Sequence, residues 1–131
     1  GPMRAAVLRH LTHQAQFTHV LKRPPLAYTT HFALHWRAHD ATSAASAVGL
    51  HMGVVLPKRW AKRAVTRNGL RRHMYAHVAQ WSSAHLRDGM LVVRLRRAFD
   101  RQQYPSAWSQ ALRNAVHDEM SRLLSRFPEG V

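Results

Sequence analysis

From residue 48 to residue 95 the chain runs strand, helix, strand. Residues 48–56, VGLHMGVVL, are apolar and β-branched toward their end, and Pro57 stops them. Residues 90–95, MLVVRL, form a second apolar run of strand length. Between them a long helix is expected from about Trp60 to His85, with Met74, Val78 and Trp81 at apolar positions. Arg87-Asp88-Gly89 reads as the turn that follows it. Two strands separated by a helix pair most simply in parallel, so this unit demands a sheet with a helix on its face.

The flanks fit around that unit. Residues 31–37, HFALHWR, alternate, with Phe32, Leu34 and Trp36 on one face and His31, Ala33, His35 and Arg37 on the other. That pattern predicts a strand with one buried face. Residues 38–47 are small and polar and read as a loop. Thr12 is a plausible N-cap for a short helix carrying Phe17, Val20 and Leu21, which Lys22-Arg23 and Pro24-Pro25 end. Pro105 stands where a last helix can begin, over 106–126, with Trp108, Leu112, Val116, Met120, Leu123 and Leu124 at helical spacing. Trp36, Trp81 and Trp108 are expected to pack in the core. The order is helix, strand, strand, long helix, strand, helix, an α/β fold in the form of a two-layer α/β sandwich. One domain is expected over 12–127, preceded by a basic, mobile arm over 3–11. Gly1-Pro2 ahead of Met3 reads as a tag remnant.

Charge narrows the function. The chain holds 20 lysines and arginines against 6 acids, a formal net charge of +14, which attracts polyanions. From Ala41 to Arg87 there is no acid, yet the same window carries Lys58, Arg59, Lys62, Arg63, Arg67, Arg71, Arg72 and Arg87. A solvated helix normally mixes signs to gain i,i+4 pairs; this one gives them up, as a phosphate-backbone surface would. Arg67 and Arg71 stack on one side of the helix, with Asn68 and Arg72 as a neighbouring pair. A membrane surface fits poorly, because Arg63 and Arg67 interrupt any apolar stripe and no run approaches a bilayer span. The absence of cysteine removes disulfides and thiolate metal sites and suits a reducing cytoplasm.

Signals for protein catalysis are missing. Among 11 histidines, His73 and His77 have ligand spacing on the long helix, but the sequence offers no third ligand, so no metal site is expected. The carboxylates are scattered except for Asp118-Glu119. No Gly-rich phosphate loop occurs.

The stretch KRWAKRAVTRNGLRR, 58–72, resembles the signature region of the bacterial ribonuclease P protein subunit. The shared elements are Lys58-Arg59, Ala64-Val65, Arg67-Asn68 and Leu70-Arg71-Arg72. FTHVL (Phe17 to Leu21), HFALHW and GMLVVRLRR resemble the family's first helix, first strand and post-helix strand, in that order. The chain departs from the family at Gly69, where an arginine is usual, at Tyr75 and Ala76, and at His35, where the strand tyrosine falls.

The resemblance implies a fold like the second domain of ribosomal protein S5, with a left-handed β-α-β crossover where general rules favour the right hand. It implies a protein subunit that assists a catalytic RNA, with its Mg2+, in removing the 5′ leader of precursor tRNA. The protein itself would hold no catalytic residue and no cofactor. Carried over by position, Arg67, Asn68, Arg71 and Arg72 would contact the RNA subunit, supported by Lys58, Arg59, Lys62 and Arg63. Phe17, Leu21 and His35 would face the leader, in a cleft between the sheet and the first helix. A cytoplasmic monomer in a 1:1 complex with RNA is expected. A non-catalytic, ribosome-associated RNA-binding protein of the same fold is the alternative. Gly69 is either a tolerated loss or a place of close RNA approach, and Gly69→Arg is expected to tighten RNA binding.

Overall fold

The structure, a computed structural model, describes residues 8–39, 49–84 and 88–128. Its elements run β1 (Arg9–His10), α1 (Gln14–Leu21), β2 (Ala27–Tyr28), β3 (Phe32–Ala38), β4 (Leu50–Val55), α2 (Ala64–Ala84), β5 (Gly89–Leu95) and α3 (Gln110–Ser125). The strands make one mixed sheet in the order β1-β4-β5-β3-β2. β4 and β5 pair in parallel, as the strand–helix–strand unit predicts, while β3 runs antiparallel to β5.

One face of the sheet carries the main core. Phe32, Leu34 and Trp36 of β3, Leu50 and Met52 of β4, and Leu91, Val93 and Leu95 of β5 meet Leu70, Met74 and Val78 of α2. Val116, Met120 and Leu123 of α3 complete it. Trp36 is buried there, whereas Trp81 and Trp108 pack against it half-buried. On the opposite face α1 lays Val20, Phe17 and Leu21 over Leu11, Val92, Val55 and Met90. That cover explains why β3 is buried on both faces, with Ala33 1% and His35 4% exposed, rather than on the one face its alternation predicts.

Several boundaries differ from expectation. Of the arm expected over 3–11, residues 3–7 lie outside the described residues, and 9–11 join the sheet: Arg9–His10 pair in parallel with His51–Met52 and Leu11 donates its N–H to the Met52 carbonyl at 2.8 Å. The ring of His10 stacks on Tyr75 of α2, with centroids 3.9 Å apart. Helix α2 begins at Ala64, not Trp60. The Pro57 carbonyl accepts from the N–H groups of both Trp60 and Ala61, which closes a separate turn before the helix. Helix α3 begins at Gln110, not after Pro105, because Ser109 is its N-cap and accepts from the Leu112 N–H at 3.1 Å. Thr12 does not cap α1; His13 holds that place, and the Gln16 side chain accepts from the N–H groups of both residues.

A buried carboxylate ties α3 to the sheet edge. Glu119 accepts from Thr29 Oγ1 and the His31 N–H at 2.6 Å each, and its other oxygen lies 2.7 Å from His31 Nδ1. Burial acts to raise the Glu119 carboxyl, but those hydrogen bonds and the His31 charge outweigh it and hold the group below its ordinary value. Asp118 beside it is exposed, so the two acids do not form a pair that could share a proton.

Candidate nucleic-acid interface

The basic segment has two parts with different roles. Lys58, Arg59 and Lys62 lie exposed on the turn that leads into α2, not on the helix itself. Arg59 stacks over the Trp60 ring at 4.9 Å. Arg63 donates to the Pro105 carbonyl at 3.1 Å, and Thr66 donates to the Ala107 carbonyl at 2.6 Å. Arg67 folds back and donates from one nitrogen to the carbonyls of Ala61 and Lys62, both at 2.8 Å. Its side chain therefore holds the preceding turn. Asn68, Arg71 and Arg72 are the polar members of the motif that stand exposed on α2, with Ala64 and Val65 exposed at its first turn. At the entry turn a cavity of about 250 Å³ opens, lined by Arg59, Trp60, Arg63, Phe99, Arg101 and Tyr104. Among the described residues no carboxylate lies within 4.0 Å of any of these cations; the one ion pair joins Glu119 to His31.

Gly69 answers to a neighbouring helix. A Cβ there would lie 2.4 Å from Trp108 Cδ2 and 2.7 Å from its Cγ and Cε2. The indole of Trp108 rests on the bare backbone of α2, with Arg113 over its ring at 5.8 Å. The position thus points at the start of α3. The expectation that Gly69→Arg tightens RNA binding must therefore contend with the indole, in whose space the new side chain would start.

The three residues expected to face a leader do share one side of the sheet, but not as a stacking surface. The Phe17 ring covers Gly53, where a Cβ would come within 2.3 Å of its edge. Leu21 joins the same small cluster. His35 is buried: its Nδ1 donates to the Arg23 carbonyl at 3.1 Å, and its Nε2 accepts from Arg94 Nε at 3.3 Å. Burial, opposed by the Arg23 hydrogen bond and aided by the Arg94 charge, lowers its pKa, so the ring is the neutral Nδ1–H form.

What His35 does is aim Arg94. The register places Tyr28, Ala33, Arg94 and Val55 in one row across the sheet and Arg37, Met90, His51 and Arg9 in another. Tyr28 is 57% exposed. This face, with Arg9, Arg37, Arg94 and Tyr28, was missed by motif; the alternation of β3 and β5 is the signal that carries it.

Imidazoles also meet elsewhere. His117 of α3 joins the His73–His77 pair, so a third imidazole reaches the pair from another helix. Burial first, and then the charges of His117 and His73, lower His77 to about 4. No helix among the described residues is long and apolar enough to cross a membrane.

A mixed five-stranded sheet, helices on both faces and an acid-free cation surface at the entry to α2 define a basic α/β protein shaped to meet a polyanion. The Ribonuclease P family model matches residues 6–123, and the chain belongs to that family as a protein subunit. RNA binding is implied by membership. The Ribonuclease P protein component of Paraburkholderia xenovorans is 29% identical over 111 residues, covering 85% of this chain and 74% of the relative. The RNase P protein of Thermotoga maritima shares the fold with a TM-score of 0.66 at 16% identity, covering 92% of this chain and 98% of that one. The Staphylococcus aureus RNase P protein does so with a TM-score of 0.65 at 15% identity, covering 88% and 92%.

Proposed function

We propose that this chain docks on the RNA subunit of ribonuclease P through Lys58, Arg59, Lys62, Asn68, Arg71 and Arg72, and that Arg63 and Arg67 shape the turn that presents them. The observation that carries this is the acid-free cation surface falling on the family's motif. The 5′ leader of precursor tRNA lies along the sheet face beside α1. Arg94, Arg37 and Tyr28 meet it, while Phe17 and Leu21 pack on that face from α1 and His35 holds Arg94. Phosphodiester cleavage belongs to the RNA subunit, which supplies the Mg2+ chemistry; the protein contributes counter-charge and position. A single domain beginning at β1 carries both surfaces. One protein acts per RNA, in the cytoplasm.

The test is precursor-tRNA cleavage at low magnesium with the cognate RNA alone, the protein alone, and both. The expected result is efficient cleavage only with both, and its loss with Arg71→Ala/Arg72→Ala. No gain over RNA alone would refute the proposal. It would favour instead a non-catalytic, ribosome-associated RNA-binding role, which recovery of ribosomal RNA with the protein would then identify.

A further inference from the structure

Three imidazoles converge between α2 and α3. His73 and His77 stand one helical turn apart on α2, which puts both on one side. His117 approaches from α3, with its ring 4.8 Å from His77 and 5.7 Å from His73. One nitrogen from each residue lies within 4.8 Å of the other two. His73 Nε2 is buried with no hydrogen-bond partner among the described residues. Buried ring nitrogens are normally satisfied, as at His35; His39 Nδ1 and Trp36 Nε1 are also unpartnered, but of the three only His73 belongs to a group of three converging imidazoles. A ring with an orphaned nitrogen, grouped with two further imidazoles, is an arrangement a metal ion can complete.

We propose that His73, His77 and His117 form a binding site for a divalent transition-metal ion of the zinc class, clamping α2 to α3. Neutral imidazoles are ligands for Zn2+, Co2+, Ni2+ and Cu2+. They do not suit Mg2+ or Ca2+, which take oxygen ligands. A tetrahedral ion with bonds of about 2.1 Å sets its nitrogens about 3.4 Å apart. The rings must therefore draw in by roughly 1.4 Å at most, a matter of side-chain rotation. The helix backbones are already held in place, since Trp108 is seated on Gly69 and Val116 and Met120 pack in the core with Met74 and Val78. Ser121 Oγ lies 3.4 Å from His77 Nε2 and can steady that ring. His117 is exposed, so the fourth position opens to solvent water. The ion would bind the folded chain only, and would stiffen the helix that carries Asn68, Arg71 and Arg72. The site stands on the geometry of two helices and is independent of the RNA reading.

The test uses the full chain after chelator treatment. Zn2+ is titrated by calorimetry, Co2+ is added as a probe of tetrahedral coordination in the visible spectrum, and thermal unfolding is followed with Zn2+ or with Mg2+. The expected results are one ion per chain, a melting temperature raised by Zn2+ and not by Mg2+, and visible Co2+ bands. His117→Ala replaces an exposed side chain, so it melts like the wild type without metal yet binds at least about tenfold more weakly. His51→Ala, at the separate His39–His51 contact, keeps full affinity. Equal affinity in the wild type and His117→Ala, or no binding with zinc at 100-fold excess over protein, would overturn the proposal.

Discussion

Gly69→Ala reads the α2–α3 contact directly. In an open helix interior the change gains about 1 kcal/mol, because glycine is the poorer helix former. Here the new methyl would sit 2.4–2.7 Å from the Cγ, Cδ2 and Cε2 of Trp108, well inside contact distance. The indole is a rigid bicycle joined to the chain at Cγ, so turning the ring about the Cβ–Cγ bond leaves Cγ where it clashes. The backbone cannot yield cheaply either. The Ala107 carbonyl is held by Thr66 at 2.6 Å, and Ser109 caps α3. Overpacking of this kind costs about 2–3 kcal/mol, which exceeds the helix gain and leaves a net loss of about 1–2 kcal/mol. For a chain of 131 residues that lowers Tm by about 4–7 °C. In a Trp108→Ala background the obstacle is gone, and Gly69→Ala should raise Tm by about 4 °C. Thermal and urea unfolding of the four proteins, followed by circular dichroism, measures the change of sign. If Gly69→Ala has the same sign in both backgrounds, the seat for Trp108 is wrong. So is it if Gly69→Arg steepens the salt dependence of RNA binding by about one ion with Tm unchanged.

The two parts of the basic segment should separate experimentally. Arg71→Ala and Arg72→Ala are each expected to reduce the salt slope of RNA binding by about one ion and leave Tm alone, whereas Arg67→Ala also loses about 1–2 kcal/mol because it releases the Ala61 and Lys62 carbonyls; an unchanged urea midpoint for Arg67→Ala would contradict this. Glu119→Gln leaves the buried donor on Thr29 and the half-buried donors on His31 without a full acceptor, and should cost about 2–3 kcal/mol in urea unfolding. The two shifted groups act in different pH windows. His35 is lowered from 6.5, so the unfolded chain takes up the proton first, and its contribution is present above 6.5 and lost as pH falls toward the lowered value. Glu119 is lowered from 4.5, so its contribution is present above 4.5 and lost only below that. An NMR titration of the His35 ring with a midpoint at or above 6.5 would refute the first, and unfolding midpoints that stay flat from pH 5 to 3 in the wild type would refute the second.

The elements legible in the sequence are those with long periodic patterns. The alternation of residues 31–37 and the apolar run 90–95 became β3 and β5, and the Pro57 break became the end of β4. Strands β1 and β2 have two residues each, too few for a period to show, and they exist because β4 and β3 offer edges to pair with. The start of α2 was misplaced because residues 60–63 have an ordinary helical composition. What stops the helix there is Pro57 accepting two N–H groups and Arg67 taking two carbonyls, both decided by folding. The site shows the same division. The cations of 58–72 were visible as a motif, but which stand exposed and which bind backbone was not. Gly69 looked like a defect because its reason, Trp108, lies 39 positions away (108 − 69). His35 looked like a contact residue because alternation cannot reveal that α1 covers the second face.

Helix α2 also combines demands that oppose each other. It has no acid in its first turn, and cations crowd its N-terminal end, where the helix dipole disfavours positive charge by about 0.3–1 kcal/mol for each residue. No i,i+4 acid relieves the repulsion among Arg67, Arg71 and Arg72. Local preference thus works against this helix. It forms because Leu70, Met74 and Val78 are fully buried, and because Arg67 is held against the entry turn. A chain under no pressure to keep such a surface would place glutamates at the start of α2 and gain stability at once. Phosphates on a bound RNA would supply the negative charge that the helix lacks in the same region, so a stretch whose own charges oppose its helix is one that a polyanion would stabilise.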